Sequence, residues 1–136
     1  HFTYSILPHE GTLSQSDEVV ASAAALNIGV FQLDGLACPD GIPEMAALPV
    51  EIKGEGVELA ALKKAEDGDD LIIRLVERRG NRTTAKLDSV LKGCTVTPCL
   101  ASEFKDIGES MTLPATLSLR PFQILTLRLS CGKENG

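Results

Sequence analysis

Beyond Gly56 apolar and polar residues alternate with period two, and turn residues cut the alternation at short intervals. The clearest case is the stretch from Ala60 to Glu77, AALKKAEDGDDLIIRLVE, which with the residues just before it reads as a β-hairpin. Val57, Leu59 and Ala61 alternate with Glu58, Ala60 and Leu62. Glu66-Asp67-Gly68-Asp69 then interrupts with turn chemistry, Gly68 being free to take positive φ. From Asp70 to Glu77 the alternation resumes, with Leu71, Ile73 and Leu75 on one face and Ile72, Arg74 and Val76 on the other. One face is apolar and the other mixed, as in a strand packed on one side and partly covered on the other.

The same reading places a strand over Phe2 to Leu7, ended by Pro8, which lacks the donor a ladder needs. A helix follows from Ser14, the predicted N-cap, with Asp17 three positions on in a variant capping box. Asp17 and Glu18 suit the positive end of the helix dipole, and Asn27 and Gly29 suit its other end. Val19, Val20, Ala23, Ala24 and Leu26 form a stripe of small residues suited to lie on a sheet. Ile28 to Leu33 reads as a strand, Asp34 to Pro43 as a loop, and Ala46 to Lys53 as a strand weakened by Pro49. Further strands are expected over Thr83 to Val90, Gly93 to Leu100, Met111 to Leu119 and Phe122 to Cys131, with Arg120-Pro121 marking a hairpin or bend. The tail from Gly132 to Gly136 is polar and expected to fray. Short alternating strands separated by turns predict a mainly β protein, an antiparallel β-sandwich with one short helix near the N-terminus. There is no repeat or low-complexity tract, so residues 1–136 are read as a single domain, a length sufficient for one core.

Composition narrows the function classes. With four Phe, one Tyr and no Trp, an aromatic platform for stacking sugars is disfavoured and the core is expected to be aliphatic. The net charge of −6 disfavours nucleic acid, whose phosphates call for Lys and Arg. The basic run Arg78-Arg79-Gly80-Asn81-Arg82 reads as a solvated turn. No apolar run approaches the roughly 20 residues of a membrane-spanning helix, and no membrane partner is predicted. No secretory signal is visible, and the chain begins at His1 inside a predicted strand, which suggests a piece of a longer polypeptide. The cellular address stays open, with the cytoplasm favoured.

Candidate chemistry is sparse. Cys38, Cys94, Cys99 and Cys131 allow three disulfide pairings, but a domain of this size does not need them, and partly buried free thiols are the preferred reading. Cys94 and Cys99 make a poor zinc pair, with no second close pair and with His1 and His9 far away in sequence. Glu66, Asp67, Asp69 and Asp70 could offer oxygens to Ca²⁺, but their spacing is not that of an EF-hand loop, so a solvated turn is preferred. As a glycosidase pair they fail, because neighbours on one turn cannot flank a sugar at roughly 5–9 Å. His9 is read as a structural hydrogen-bonding group rather than a base or ligand. Asn81-Arg82-Thr83 is a formal glycosylation acceptor, taken as a chance match. Neither a G-x-S-x-G elbow nor a phosphate-binding glycine loop is present.

Three stretches in order carry a resemblance. Phe2-Thr3-Tyr4-Ser5 with Pro8-His9-Glu10-Gly11, then Leu62 to Gly68 with Ile73-Arg74-Leu75 and Glu77, then Leu119 to Ile124 with Thr126 to Leu129, resemble the C-terminal β-domain of glycoside hydrolase family 38 α-mannosidases. The stretches Leu36 to Gly56 and Lys92 to Ser110 depart most from that pattern. The resemblance implies a parent enzyme that cleaves α-mannosidic bonds with retention, using zinc held in an N-terminal catalytic domain. It implies a noncatalytic role here, packing on the remainder of the chain, with a homo-oligomer contact a further expectation. No segment matches the zinc-ligand or nucleophile motifs, so no catalytic, cofactor-binding or metal residue is assigned, and Glu66, Asp67 and Arg74 are read as structural. The alternative is a stand-alone β-sandwich module that binds sugar or protein.

Overall fold

The computed structural model describes residues 4–12, 16–28, 48–91 and 93–132, and divides into two compact units, His1–Leu48 and Pro49–Gly136. In the first unit the described structure is one helix, α1 (Asp17–Ile28). Its N-cap is Ser16, whose hydroxyl accepts the Val19 N–H at 3.4 Å; the predicted cap, Ser14, lies outside the described residues. Asp17 and Glu18 occupy the first turn as expected. Near the C-terminal end the Asn27 amide donates to the Ala23 carbonyl at 2.7 Å. No residue of α1 is buried; Val19, Val20 and Ala24 of the predicted stripe are half-buried.

Two expectations for this region change. Residues 4–7 are not a strand, and Tyr4 and Ile6 are exposed. Alternation becomes a strand only where a neighbour completes the ladder, and no strand lies among the described residues of this unit. Ile28, predicted to open a strand, instead closes the helix. The rest of that strand and the predicted loop from Asp34 to Pro43 lie outside the described residues.

The second unit is the sandwich. Its strands are β1 (Val50–Lys53), β2 (Val57–Lys64), β3 (Leu71–Glu77), β4 (Thr83–Ser89), β5 (Cys94–Cys99), β6 (Met111–Thr112), β7 (Ala115–Leu119) and β8 (Ile124–Cys131). They form a three-stranded sheet in the order β1-β4-β7 and a five-stranded sheet in the order β2-β3-β8-β5-β6, every pairing antiparallel. The inner faces meet in one apolar core. Ala85, Leu87, Ala115, Leu117 and Leu119 come from one sheet, and Ile73, Leu75, Val96, Leu127 and Leu129 from the other. The inward positions are those that period-two alternation selects, which is why a sheet with one wet face forms from this pattern.

Three local events modify the predicted strands. A bulge at Ala60 shifts the register of β2 between Leu59 and Ala61. The extra residue flips the period, so Leu62 rather than Ala61 joins Val57 and Leu59 against the core. The predicted strand Met111 to Leu119 is two strands: the chain leaves the five-stranded sheet after Thr112, passes a cis Leu113-Pro114 bond and enters the three-stranded sheet at Ala115. Proline has no N–H to give either ladder, so the break falls there. The Arg120-Pro121 turn is a bend that carries the chain between sheets, closed by Gln123 N–H donating to the Arg120 carbonyl at 3.0 Å. Gly68 is not in the left-handed region, so the acidic turn does not use its freedom; Gly56, Gly80 and Gly93 do take positive φ.

Candidate functional site

The acidic turn between β2 and β3 is held by cations from the same sheet. Lys63 reaches Glu66 at 2.6 Å, Lys64 reaches Asp69 at 3.0 Å, and Arg128 of β8 holds both oxygens of Asp67, at 2.9 and 3.2 Å. A hydrogen bond from Lys63 keeps the Glu66 carboxyl below its usual range, and one from Arg128 does the same for Asp67. The turn therefore latches onto β8 by a forked guanidinium–carboxylate pair.

Arg128 also ties down the segment after β5. Its guanidinium donates to the Glu103 carbonyl at 2.6 Å, and Arg74 donates to the Ala101 carbonyl at 3.1 Å. Glu103 sits at φ 72° and is buried, its Oε1 facing Lys63 at 3.2 Å and Arg74 at 3.6 Å. Residues 100–106 thus fold across the outer face of the five-stranded sheet, where Ala65, Ile72 and Cys99 make a second small core. This explains the mixed face of β3: Ile72 is covered by a loop, and Arg74 holds that loop in place. Arg74, Glu66 and Asp67, read from the sequence as strand and turn positions, each pair with other groups of the fold.

Among the described residues the most enclosed charge is Glu77, the last residue of β3 and 1% exposed. It shares the inward parity of Leu71, Ile73 and Leu75. Its carboxylate accepts backbone N–H groups from Arg79, Gly80 and Phe122, each at 2.8 Å. Burial pushes this carboxyl up, but the backbone donors of Phe122, Arg79, Asn81 and Gly80 together outweigh it and hold it below the ordinary glutamate range. One side chain so clips the end of β3 to the turn at 78–81 and to the bend between β7 and β8. Sequence reasoning placed Glu77 in a motif but not in this role. The available signal was an acid at an inward position just before a glycine turn.

The other candidates are simpler. His9 is exposed, with its Nδ1 3.2 Å from the Glu10 carbonyl. Asn81 is exposed in the turn after β3. Of the basic run, Arg78 pairs with Glu58 at 2.8 Å and Arg79 with Glu55 at 3.5 Å, so two of its three arginines are not simply solvated. The third, Arg82, lines an open depression of about 520 Å³ with Thr83, Thr84, Ser118, Leu119 and Arg120.

The cysteines depart from the preferred reading. Cys94 and Cys131 lie directly opposite in the β5–β8 register and are joined in a disulfide, their Cα atoms 4.1 Å apart. Register, which the sequence does not disclose, selects the pair. Cys99 is a free, buried thiol, as expected, and burial pushes its pKa up. Cys38 lies outside the described residues. The zinc implied by the resemblance, expected in an N-terminal catalytic domain, finds no fit among the described residues. Among the described residues no three His, Cys, Asp or Glu side chains are grouped to hold a metal, and Cys94, half of the weak Cys94–Cys99 pair, is spent in the disulfide.

Residues 56–127, more than half of the chain, match the model of the glycosyl hydrolases family 38 C-terminal beta sandwich domain. The chain is 28% identical over 131 residues to Alpha-mannosidase G of Dictyostelium discoideum, an alignment covering 93% of this chain and 12% of that protein. It is 30% identical over 134 residues to Alpha-mannosidase 2C1 of Homo sapiens, covering 94% of this chain and 12% of the relative. The mouse protein of the same name is 28% identical over 134 residues. The chain spans only 12% of the length of these relatives. The matched segment runs from the turn before β2 into β8 and so takes in strands of both sheets, and on that match the chain belongs to glycosyl hydrolase family 38, as its C-terminal β-sandwich domain.

Proposed function

We propose that residues 1–136 serve as one noncatalytic C-terminal piece of a larger, zinc-dependent, retaining α-mannosidase, and that they work by packing on the remainder of that polypeptide. The observation that carries this reading is the family match over strands of both sheets, joined to relatives named as α-mannosidases of which the chain spans 12%. The polar groups of the sandwich agree with it. Glu77 binds backbone, Arg128 and Arg74 bind a loop, and the acidic turn is paired with cations. These groups spend their hydrogen bonds on holding the fold. On this reading the metal and the reacting carboxylates belong to the preceding part of the enzyme.

The test is the mass and activity of the native polypeptide. Intact mass spectrometry and immunoblotting of source extract should find this sequence in a product several times heavier than 14.5 kDa. That product should copurify with α-mannosidase activity that a zinc chelator abolishes. A native product of this length alone, without such activity, would overturn the proposal.

A further inference from the structure

One end of the sandwich, built from residues 78–82 and 120–124, is preorganised beyond what the internal packing uses. Phe122 is 71% exposed although its backbone sits in the left-handed region, at φ 56°. A bulky residue rarely adopts that conformation unless its surroundings impose it. Here Glu77 imposes it, accepting the Phe122 N–H at 2.8 Å from a carboxylate that is itself buried. Gly80 completes the seat: it has φ +72°, and a Cβ there would stand 2.6 Å from Phe122 Cζ. The fold thus fixes an aromatic ring and leaves it in solvent, with Ile124 exposed two residues on.

Charge adds a second observation. Arg82 and Arg120 flank the open depression at this end, and both are exposed. Neither guanidinium has a hydrogen bond or ion pair among the described residues, whereas Arg74, Arg78, Arg79 and Arg128 all do. Two unpaired cations beside a fixed aromatic, in a chain of net charge −6, suit an apolar recess rimmed by carboxylates.

We propose that this end is the surface by which the sandwich docks on an earlier segment of the same α-mannosidase polypeptide. Phe122 and Ile124 enter an apolar recess, and Arg82 and Arg120 pair with Asp or Glu at its rim. The proposal rests on the function proposed above, since the 12% coverage of the relatives supplies the length of chain needed for the occupant. A second copy of the domain fits less well, because a two-fold contact through this end brings like cations together.

The experiment uses the full-length polypeptide with p-benzoylphenylalanine at position 122, photolysed and mapped by mass spectrometry. The expected products are intrachain cross-links to one segment preceding this domain, with Asp or Glu within a few residues. The double variant Arg82→Glu and Arg120→Glu, both exposed and outside the core, should lower cross-link yield at least several-fold. Reversing the mapped carboxylate to Lys should restore it. Cross-links only between copies, only within this domain, or absent from a folded protein would overturn the docking proposal, as would a yield indifferent to the arginines. Mannosidase activity measured on the same preparation separates the two claims: its presence with failed cross-linking sinks the docking surface alone, and its absence sinks the function on which it rests.

Discussion

Glu77 shows how one side chain can decide an architecture. A buried carboxylate is costly unless donors surround it, and here the donors are backbone N–H groups from two separate turns. Glu77→Gln puts an NH₂ among groups that only donate, so chemical denaturation should show a loss of about 2–3 kcal/mol at neutral pH. The pH dependence has a definite sign. The folded pKa lies below the unfolded value, so the ionised carboxylate stabilises the fold above pH of about 4.3 and that contribution is lost as pH falls through the folded value. The gap between wild type and Glu77→Gln should therefore be widest at neutral pH and narrow in acid; a gap independent of pH would refute the clip. Cys99 gives a second residue-scale expectation. Its thiol is buried and its pKa raised, so an alkylating reagent at pH 7 should modify it only after unfolding. Rapid labelling of Cys99 in the native protein would contradict the closed loop above it.

Among the elements, β8 is the central strand of the five-stranded sheet. It pairs with β3 on one side and β5 on the other, and its inward Leu127 and Leu129 are fully buried. Leu127→Ala should cost roughly 2–5 kcal/mol by thermal or denaturant unfolding, because the rigid strands on either side cannot close the cavity. The same side-chain loss at Leu48, which is exposed, should be nearly silent. A comparable cost at both positions would show that β8 is not central. The bulge at Ala60 and the break at Pro114 belong to this scale as well. Each breaks the simple period of a strand, and each places later residues on the face, or in the sheet, where the core needs them.

At the scale of the sandwich, strands far apart in sequence are closed on one another. The Cys94–Cys131 disulfide links two strands with a sequence separation of 37. By loop-closure entropy such a link stabilises a fold by about 2–4 kcal/mol. Full reduction should accordingly lower the melting temperature by several degrees without abolishing folding, since the two-sheet core remains. An unchanged melting temperature after verified reduction would show that the bridge adds nothing to this fold.

The sequence by itself determined the class of the molecule: mainly β, two-faced strands, a short helix near the N-terminus, and the hairpin β2–β3 with its acidic turn. Period two, turn chemistry and capping are local properties, so they are readable from neighbours in the chain. It also carried the family, through motifs spread from end to end. Tertiary structure alone decided which strands share a sheet, where the period flips, which cysteines meet, and what Glu77, Glu103 and Arg128 hold. Most of those outcomes rest on contacts between residues far apart in the chain, such as Arg128 with Glu103 and with Asp67, 25 and 61 positions away, or Glu77 with Phe122, 45 positions away. One-dimensional pattern holds no register between distant strands. A lone acid before a turn therefore looks like a solvated charge until the fold brings the backbone N–H groups to it.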